Sequence, residues 1–192
     1  ELERYIVFGG RKIKIPLPSK WQIKNTLLAC NILKCLSEIE GFQLENALKG
    51  LEKTKWPGRF QILPDGKIVD GAHNPQAMQE LVDSIKSYYP GGSFAVIFAG
   101  LADKDVRSNL EILSEIASEF IFVSITSSRR SFSGNDLLKI LREFSQIPAR
   151  TENNIADVLK SKFNKPVLVA GSLYLAGEVL SLYFREDQIA DI

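Results

Sequence analysis

The sequence is poor in the residues that build metal centres and disulfide frameworks. Its 192 residues include two cysteines and one histidine. The single histidine, His73, excludes a site with several histidine ligands, and no Cys or Cys/His cluster has metal-ligand spacing. Cys30 and Cys35 are five positions apart in an apparently helical run, where about 500° of rotation places them on different faces and excludes an intrahelical disulfide. Cysteine usage therefore favours a reduced, cytoplasmic protein.

Long apolar runs and targeting signals are also missing. No stretch approaches the ~20 apolar residues that a membrane-spanning helix needs. The N-terminus has no basic segment followed by an apolar run, so we expect neither a secretory signal nor a membrane partner. It has no initiator methionine, which suggests a processed chain or a fragment. With 45% hydrophobic and 24% charged residues, the composition is that of an ordered globular chain.

Neither sign of charge dominates strongly enough to indicate a nucleic-acid partner. The net charge is +1, with 11 Lys or Arg against six Asp or Glu in residues 1–60 and 13 against 17 in residues 61–192. This asymmetry is too weak for a nucleic-acid surface, and solvated faces explain it. A basic N-terminal part is nevertheless compatible with an anionic ligand.

The chain changes character near residues 52–55. Residues 4–16 predict two short strands around a Gly-Gly turn, and two helices follow, the first with Ser19 as a candidate N-cap and the second at about residues 43–51. We assign residues 1–52 to the end of a neighbouring domain, because a hairpin and two helices have no sheet to pack on. We assign residues 53–192 to a complete α/β domain.

Strands and helices alternate throughout the second part. A hairpin turns at Pro64-Asp65-Gly66, a helix begins at Asn74-Pro75, and buried strands are predicted at SFAVIFAG, FIFVSIT and PVLVAG. The run KDVRSNLEILSEIASE between two of these strands predicts one amphipathic helix. Alternation of this kind favours a doubly wound, mainly parallel sheet with helices on both faces.

Polar residues follow three of the predicted strands, where open α/β sheets bind their ligands. The first strand end presents Asp70 and His73 in the segment DGAHNP, and a structural turn does not explain an acid and an imidazole together. The second, GLADKD, carries Asp103 and Asp105, which serve either as helix caps or in a substrate loop. The third presents Ser172, either as an N-cap or as part of a site for a carboxylate or phosphate.

Arg59 lies in a stiff turn at the predicted boundary, where it serves either as a salt-bridge partner or as a bidentate phosphate ligand. Neither G-x-G-x-x-G nor G-x-x-x-x-G-K-[ST] occurs in the chain, so no standard loop for a dinucleotide or triphosphate is available.

Four segments occur in an order and spacing that resemble a known family. They are Trp56–Phe60 (WPGRF), Asp70–Pro75 (DGAHNP), Phe98–Asp105 (FAGLADKD) and Gly171–Leu175 (GSLYL). Together they resemble the C-terminal part of folylpolyglutamate synthase/dihydrofolate synthase, in the Mur ligase superfamily. Gln22 to Asn25 also resembles the family's H-Q-x-x-N helix start, although Trp21 replaces the usual histidine. The resemblance covers essentially the whole chain and implies a Rossmann-like Mur ligase C-terminal domain after the tail of the central ATPase domain.

The resemblance implies an ATP-dependent amide ligase of folate biosynthesis and one-carbon metabolism. In such a ligase ATP phosphorylates a carboxylate of folate or dihydropteroate, and glutamate attacks the acyl phosphate. By this resemblance Asn25 contacts adenine, Arg59 contacts the phosphates and acts in catalysis, and Asp70 contacts the ribose. His73 is a catalytic and substrate-binding candidate, and Ser172 a substrate-binding one. An arginine of the SITSSRRS loop, Arg129 or Arg130, is a weaker candidate for a substrate carboxylate.

The resemblance also implies that the P-loop and the Mg²⁺ ligands lie in an N-terminal domain upstream, so no metal ligand is expected in this chain. That domain of the same polypeptide is an expected partner, and the isolated chain is expected to be inactive. Two alternatives remain open. One is a non-catalytic small-molecule-binding module, and the other is a Mur-type ligase that adds amino acids to cell-wall precursors.

Overall fold

The computed structural model describes residues 4–15 and 21–185. The chain divides into two compact units, Glu1–Trp56 and Pro57–Ile192. Each unit has its own buried apolar cluster. The candidate N-cap Ser19 lies outside the described residues.

The first unit is a small hairpin packed with two helices. Its elements are β1 (Tyr5–Phe8), β2 (Arg11–Lys14), α1 (Trp21–Glu40) and α2 (Leu44–Glu52). The two strands pair antiparallel, and Gly9 and Gly10 both have positive φ in the turn between them, as the sequence predicts. Gly41 follows α1 with a φ of 72°, a conformation that ends helices readily when glycine supplies it.

Ion pairs and a compact apolar cluster hold the hairpin to the helices. Ile13 and Cys30 are fully buried in that cluster, and Leu48 of α2 packs with them. The Arg11 guanidinium pairs with the carboxylates of Glu45 at 2.7 Å and Glu52 at 2.9 Å. The first unit therefore has a core of its own, small as it is.

The second unit is built on one six-stranded sheet. Its elements in chain order are β3 (Gln61–Ile62), β4 (Ile68–Val69), α3 (Pro75–Tyr88), β5 (Phe94–Phe98), α4 (Val106–Leu113), β6 (Ala117–Phe122), α5 (Gly134–Arg142), β7 (Ala149–Thr151), α6 (Ile155–Lys160), β8 (Val167–Ala170) and α7 (Leu173–Tyr183). The strand order is β3-β4-β8-β5-β6-β7, and every pair is parallel except β3 with β4. This is the doubly wound, mainly parallel sheet that the sequence predicts.

The central strand β5 shows how both faces of the sheet are covered. All five of its residues are buried. Ala95 and Ile97 belong to the cluster that contains Val179 of α7. Because side chains alternate along a strand, Phe94, Val96 and Phe98 lie on the opposite face. Burial on both faces explains why this strand is uniformly apolar rather than alternating in sequence.

One predicted boundary is wrong. The sequence predicts a helix that runs through Ala117–Glu119, but α4 ends at Leu113 and these three residues begin β6. Ala117 pairs with Phe94, and the Ser118 hydroxyl donates to the Phe94 carbonyl at 2.9 Å. Pairing with the start of β5 thus overrides the helical pattern of the segment, and a register shift between Phe94 and Ala95 accommodates it.

Candidate functional site

Three strand-end loops adjoin at one edge of the sheet in the second unit. β8 lies between β4 and β5, and all three strands are parallel. The loops after them, which carry Asp70, Ser172 and Asp103, are therefore neighbours at the carboxyl edge. The sequence predicts ligand-binding residues at these strand ends, and the strand order adds that the three loops lie side by side.

Asp70 joins two backbone segments. One oxygen, Oδ2, accepts a hydrogen bond from the Phe60 amide at 2.8 Å, and the other, Oδ1, accepts one from the Ala72 amide at 2.7 Å. Burial raises the pKa of the Asp70 carboxyl, while those two amides and the charges of Arg59 and His73 favour its ionised form. The carboxylate therefore connects residues 58–60 to the loop after β4, and we call these two hydrogen bonds the Asp70 latch.

Arg59 sits in the turn that this latch holds. Gly58 has a φ of 70°, and Phe60 has a φ of 45°, which is unusual for a bulky residue. The Gly58 carbonyl accepts from the Gly71 amide at 2.8 Å, a second tie to the same loop. Arg59 is half-buried, and its guanidinium has no hydrogen bond or ion pair with the described residues of the second unit. A cation held in this way is available to an anionic ligand.

His73 lies four residues beyond the end of β4. Its Nδ1 is 2.9 Å from the Gly71 carbonyl oxygen, so Nδ1 carries the proton and donates. In the neutral ring Nε2 is then the free acceptor, the form that a general base requires. The next residue, Asn74, caps α3 by accepting from the Ala77 amide at 2.9 Å, and Pro75 opens the helix as predicted.

Ser172 is an N-cap in this structure. Its hydroxyl accepts from the Tyr174 amide at 3.1 Å, and the residue is 1% exposed. The preceding Gly171 donates to the Ala72 carbonyl at 2.9 Å, which joins the loop after β8 to the loop that carries Asp70 and His73. The structural reading of Ser172 is therefore confirmed, and its contact with substrate stays a prediction.

Asn25 belongs to the first unit, whereas the other candidate residues belong to the second. It is exposed on α1, and its Nδ2 donates to Gln22 Oε1 at 3.2 Å. The Lys24 ammonium lies 4.7 Å from the ring centroid of Trp21, the residue at the family's histidine position. The adenine-binding role of Asn25 stays a prediction.

The loops after β5 and β6 form a charged cluster. The Asp103 carboxylate pairs with Arg130 at 3.2 Å and with Lys104 at 3.5 Å. Desolvation opposes ionisation of Asp103, but a backbone hydrogen bond and the charges of Arg130 and Lys104 together lower the pKa of its carboxyl. Asp105 caps α4 by accepting from the Ser108 amide at 3.0 Å, which confirms its capping role. Arg129 is exposed next to this cluster.

The sequence interpretation missed two residues near these loops. Glu178 of α7 accepts three hydrogen bonds at Oε1, from the Thr126 hydroxyl and from the amide and hydroxyl of Ser127. Asn109 of α4 is 1% exposed and donates from Nδ2 to the His73 carbonyl at 3.2 Å. A polar residue on the apolar face of an amphipathic helix is the sequence signal that identifies Asn109.

Two kinds of site are not found in residues 4–15 and 21–185. No group of three or more His, Cys, Asp or Glu side chains there is arranged to hold a metal ion. No helix in the same ranges is long and apolar enough to cross a membrane.

The chain is similar to a known family of ligases. The family model described as "Mur ligase, glutamate ligase domain" matches residues 58–173, more than half of the chain. A dihydrofolate synthase/folylpolyglutamate synthase of Bacillus subtilis is 30% identical over 138 residues, which are 68% of this chain and 31% of that protein.

Solved structures show the same similarity. The folylpolyglutamate synthase of Thermotoga maritima matches with a TM-score of 0.76 and 29% identity, over 96% of this chain and 45% of that one. The bifunctional folylpolyglutamate synthase/dihydrofolate synthase of Yersinia pestis, complexed with AMPPNP and Mn ion, matches with a TM-score of 0.58 and 26% identity, over 70% of this chain and 33% of that one. The chain thus spans about a third to just under half of the length of these relatives.

Proposed function

This chain belongs to the Mur ligase family, and on that premise we propose that it contributes the glutamate ligase domain of an ATP-dependent amide ligase. The proposed reaction adds glutamate to folate or dihydropteroate. Relatives that carry the folylpolyglutamate or dihydrofolate synthase name support this substrate class over the cell-wall precursors of other family members. The four motifs that suggested the family lie within or beside the matched segment, residues 58–173.

The observation that carries the proposal is the setting of Arg59. Arg59 extends from a turn that is hydrogen-bonded to Asp70. Its guanidinium has no hydrogen-bond or ion-pair partner in the described part of its unit. The imidazole of His73 follows on the same loop. A cation that extends from a rigid turn suits charge that develops on a transferring phosphoryl group, because its backbone is already in place and only the side chain has to adjust.

The proposed chemistry proceeds in two steps. A substrate carboxylate oxygen attacks the γ-phosphorus of ATP, the bond to ADP breaks, and an acyl phosphate forms. The glutamate amine then attacks the acyl carbon, loses a proton and displaces phosphate to leave an amide. We assign Arg59 to the phosphates in the first step. We assign His73 to the incoming glutamate, where Nε2 is the free acceptor for an amine proton when Nδ1 donates to Gly71.

The other assignments follow from the family. Asn25 is proposed for adenine and Asp70 for the ribose, through the lone pairs that its two backbone bonds leave free. Ser172 is proposed to shape the glutamate subsite from its capping position. We propose Mg²⁺ as the metal, bound by groups outside the described residues, which offer no ligand cluster. The Mn ion and AMPPNP of the Yersinia pestis relative support the use of a nucleotide with a divalent cation.

Membership of the family also gives the proposed domain organisation. Residues 53–192 are the ligase domain, and residues 1–52 are the end of the central ATPase domain. The proposed partners are ATP, glutamate, the folate or dihydropteroate substrate and the N-terminal domain of the same polypeptide. A cytoplasmic location fits an enzyme that depends on ATP.

Arg59→Ala in the protein expressed from the complete reading frame tests the proposal. We expect a loss of about 2–4 kcal/mol of transition-state stabilisation, which lowers kcat about 30- to 1,000-fold. Steady-state ADP release, dependent on glutamate and folate, is the measurement. Asp70→Ala, expected to raise the KM for ATP, is a less direct probe because it also breaks the latch.

A matched control is Arg150→Ala, which removes an exposed arginine of β7 paired with Glu119 and Glu152. It is expected to leave kcat within about twofold, since surface ion pairs contribute little. If Arg59→Ala also leaves kcat/KM for ATP within about twofold, Arg59 is only a structural residue. Absence of glutamate-dependent ADP release in the unmutated protein would favour a non-catalytic binding module.

A further inference from the structure

Asn109 is a buried amide whose hydrogen bonding is only half complete. It lies in α4, is 1% exposed, and its Nδ2 donates to the His73 carbonyl at 3.2 Å. Its Oδ1 is buried and has no hydrogen-bond partner among the described residues of the second unit. None of the roles assigned above uses this side chain.

The orientation of the Asn109 amide follows from its acceptor. A carbonyl oxygen accepts and never donates, so only Nδ2 can face the His73 carbonyl. The reversed amide would bring two oxygens to the same 3.2 Å separation and leave Nδ2 in the position of the partnerless oxygen. Among the described residues of the second unit, the bond to His73 is therefore the one polar interaction of this side chain.

Asn109 is a poor residue for stability alone. A buried acceptor without a partner is costly, whereas an apolar residue of similar size fills the same space without that cost. Neighbours of Asn109 on α4, Leu110 and Leu113, are fully buried leucines. A leucine at position 109 would continue that apolar face, so the benefit of the amide lies in its bond to the loop.

His73 is held from two sides. The ring is fixed by Nδ1 to the Gly71 carbonyl, within its own loop. The main chain is fixed by Asn109, from the helix that follows β5. Without the second bond, the His73 carbonyl loses its only described side-chain tie to α4. The other ties of the loop act on Gly71 and Ala72, so they leave the His73 main chain able to change the angle at which the ring meets Gly71.

We propose that Asn109 is a positioning residue, which fixes the tautomer and orientation of the His73 imidazole by holding the backbone carbonyl of His73. Asn109 acts through His73 and touches no substrate. The effect on the imidazole is a property of this chain, while its consequence for catalysis rests on the proposed ligase function.

The single histidine makes the test direct, because every imidazole signal of the 192-residue chain comes from His73. Long-range ¹H–¹⁵N spectra distinguish a ring protonated at Nδ1 from one protonated at Nε2. The unmutated chain is expected to show mainly the Nδ1–H form. Asn109→Leu is expected to show exchange between both tautomers, with a melting temperature unchanged or raised by a few degrees.

Two further variants keep the test decisive. Asn109→Ala removes the amide donor without adding volume, so it should disturb the tautomer like Asn109→Leu, and it is read alone if the leucine variant does not fold. Ser114→Ala is the matched control. It removes a partly buried hydrogen bond at the C-terminal end of the same helix, from the Ser114 hydroxyl to the Leu110 carbonyl, and does not involve His73. A wild-type tautomer in the Asn109 variants overturns the proposal. So does an equal tautomer change in Ser114→Ala, which would indicate general loosening of α4.

A second readout connects the imidazole to the proposed reaction. In the protein from the complete reading frame, Asn109→Leu is expected to lower kcat/KM for glutamate about tenfold and to leave the KM for ATP within about twofold. Equal losses for both substrates would mean a structural defect and overturn the positioning role. Absence of ligase activity in the unmutated protein would refute the proposed function but would leave the tautomer result standing.

Discussion

Replacement of three glycines by alanine gives a graded test of how closely the strand-end loops pack. A Cβ added at Gly171 would lie 2.4 Å from the Ala99 carbonyl oxygen and 2.6 Å from the Phe98 ring, on a residue with a φ of 113°. A Cβ at Gly71 would lie 2.2 Å from Cδ2 of Leu173. A Cβ at Gly177, within α7, would meet nothing within 4 Å. The three sites therefore differ in what has to move.

The expected changes in the free energy of unfolding follow from these differences. Gly171→Ala combines backbone strain with overpacking against main chain, and should cost about 2–6 kcal/mol. Gly71→Ala meets a side chain that is 45% exposed and able to rotate away, so its cost should be about 1–3 kcal/mol. Gly177→Ala should stabilise by about 0.5–1 kcal/mol, because alanine favours a helix interior over glycine.

Hydrogen exchange at the amides of β5, Phe94–Phe98, is the appropriate assay. These residues are buried at the centre of the sheet, so their slowest exchange reports opening of the second unit. Both tryptophans, Trp21 and Trp56, lie in the first unit, which makes tryptophan fluorescence unsuitable. A Gly71→Ala cost above that of Gly171→Ala, or a destabilising Gly177→Ala, would refute the packing argument.

Two further predictions concern titratable groups. Burial raises the pKa of Asp70 in the folded state above the usual value near 3.8, so its contribution to stability should be full below about pH 4 and should be lost as the pH rises through the folded pKa. The unfolding free energy of the unmutated chain minus that of Asp70→Asn, measured by denaturant titration, should therefore decrease from pH 4 to 7. An increase would contradict this sign. Burial likewise raises the pKa of the Cys30 thiol, whereas Cys35 is exposed. Iodoacetamide should therefore label Cys35 before Cys30, as detected by mass spectrometry. Equal labelling rates would contradict the burial of Cys30 and show that the first unit opens readily.

Local signals were enough to predict most elements of the second unit. Asn74 and Pro75 start α3 because a side-chain acceptor and a fixed φ act within one helical turn. The start of β6 at Ala117 was not predictable in this way, because its pairing with Phe94 depends on two segments about twenty residues apart. Local propensity describes one segment at a time, and it fails where a distant strand decides.

The candidate site likewise combines features that local residue types predict with features that depend on distant segments. Residue types at strand ends pointed to Asp70 and His73, and the strand order brings their loop beside that of Ser172. The latch from Asp70 to Phe60 and the bond from Asn109 to His73 were missed. Both hydrogen bonds join a side chain to a main-chain group of another segment. Main-chain groups are common to nearly all residues, so residue types do not indicate which of them a side chain will contact.

The strained turn at Phe60 links the fold to the proposed role of Arg59. A bulky residue at a φ of 45° costs about 1–3 kcal/mol, and such a conformation persists only when its surroundings enforce it. Here the enforcing contacts are the bond from the Phe60 amide to Asp70 and the burial of the ring, which lies 5.6 Å from that of Tyr88. Both act on the residue directly after Arg59. The backbone from which the Arg59 side chain extends is therefore set by the turn before any ligand arrives, which lessens the reorganisation needed to stabilise a developing charge.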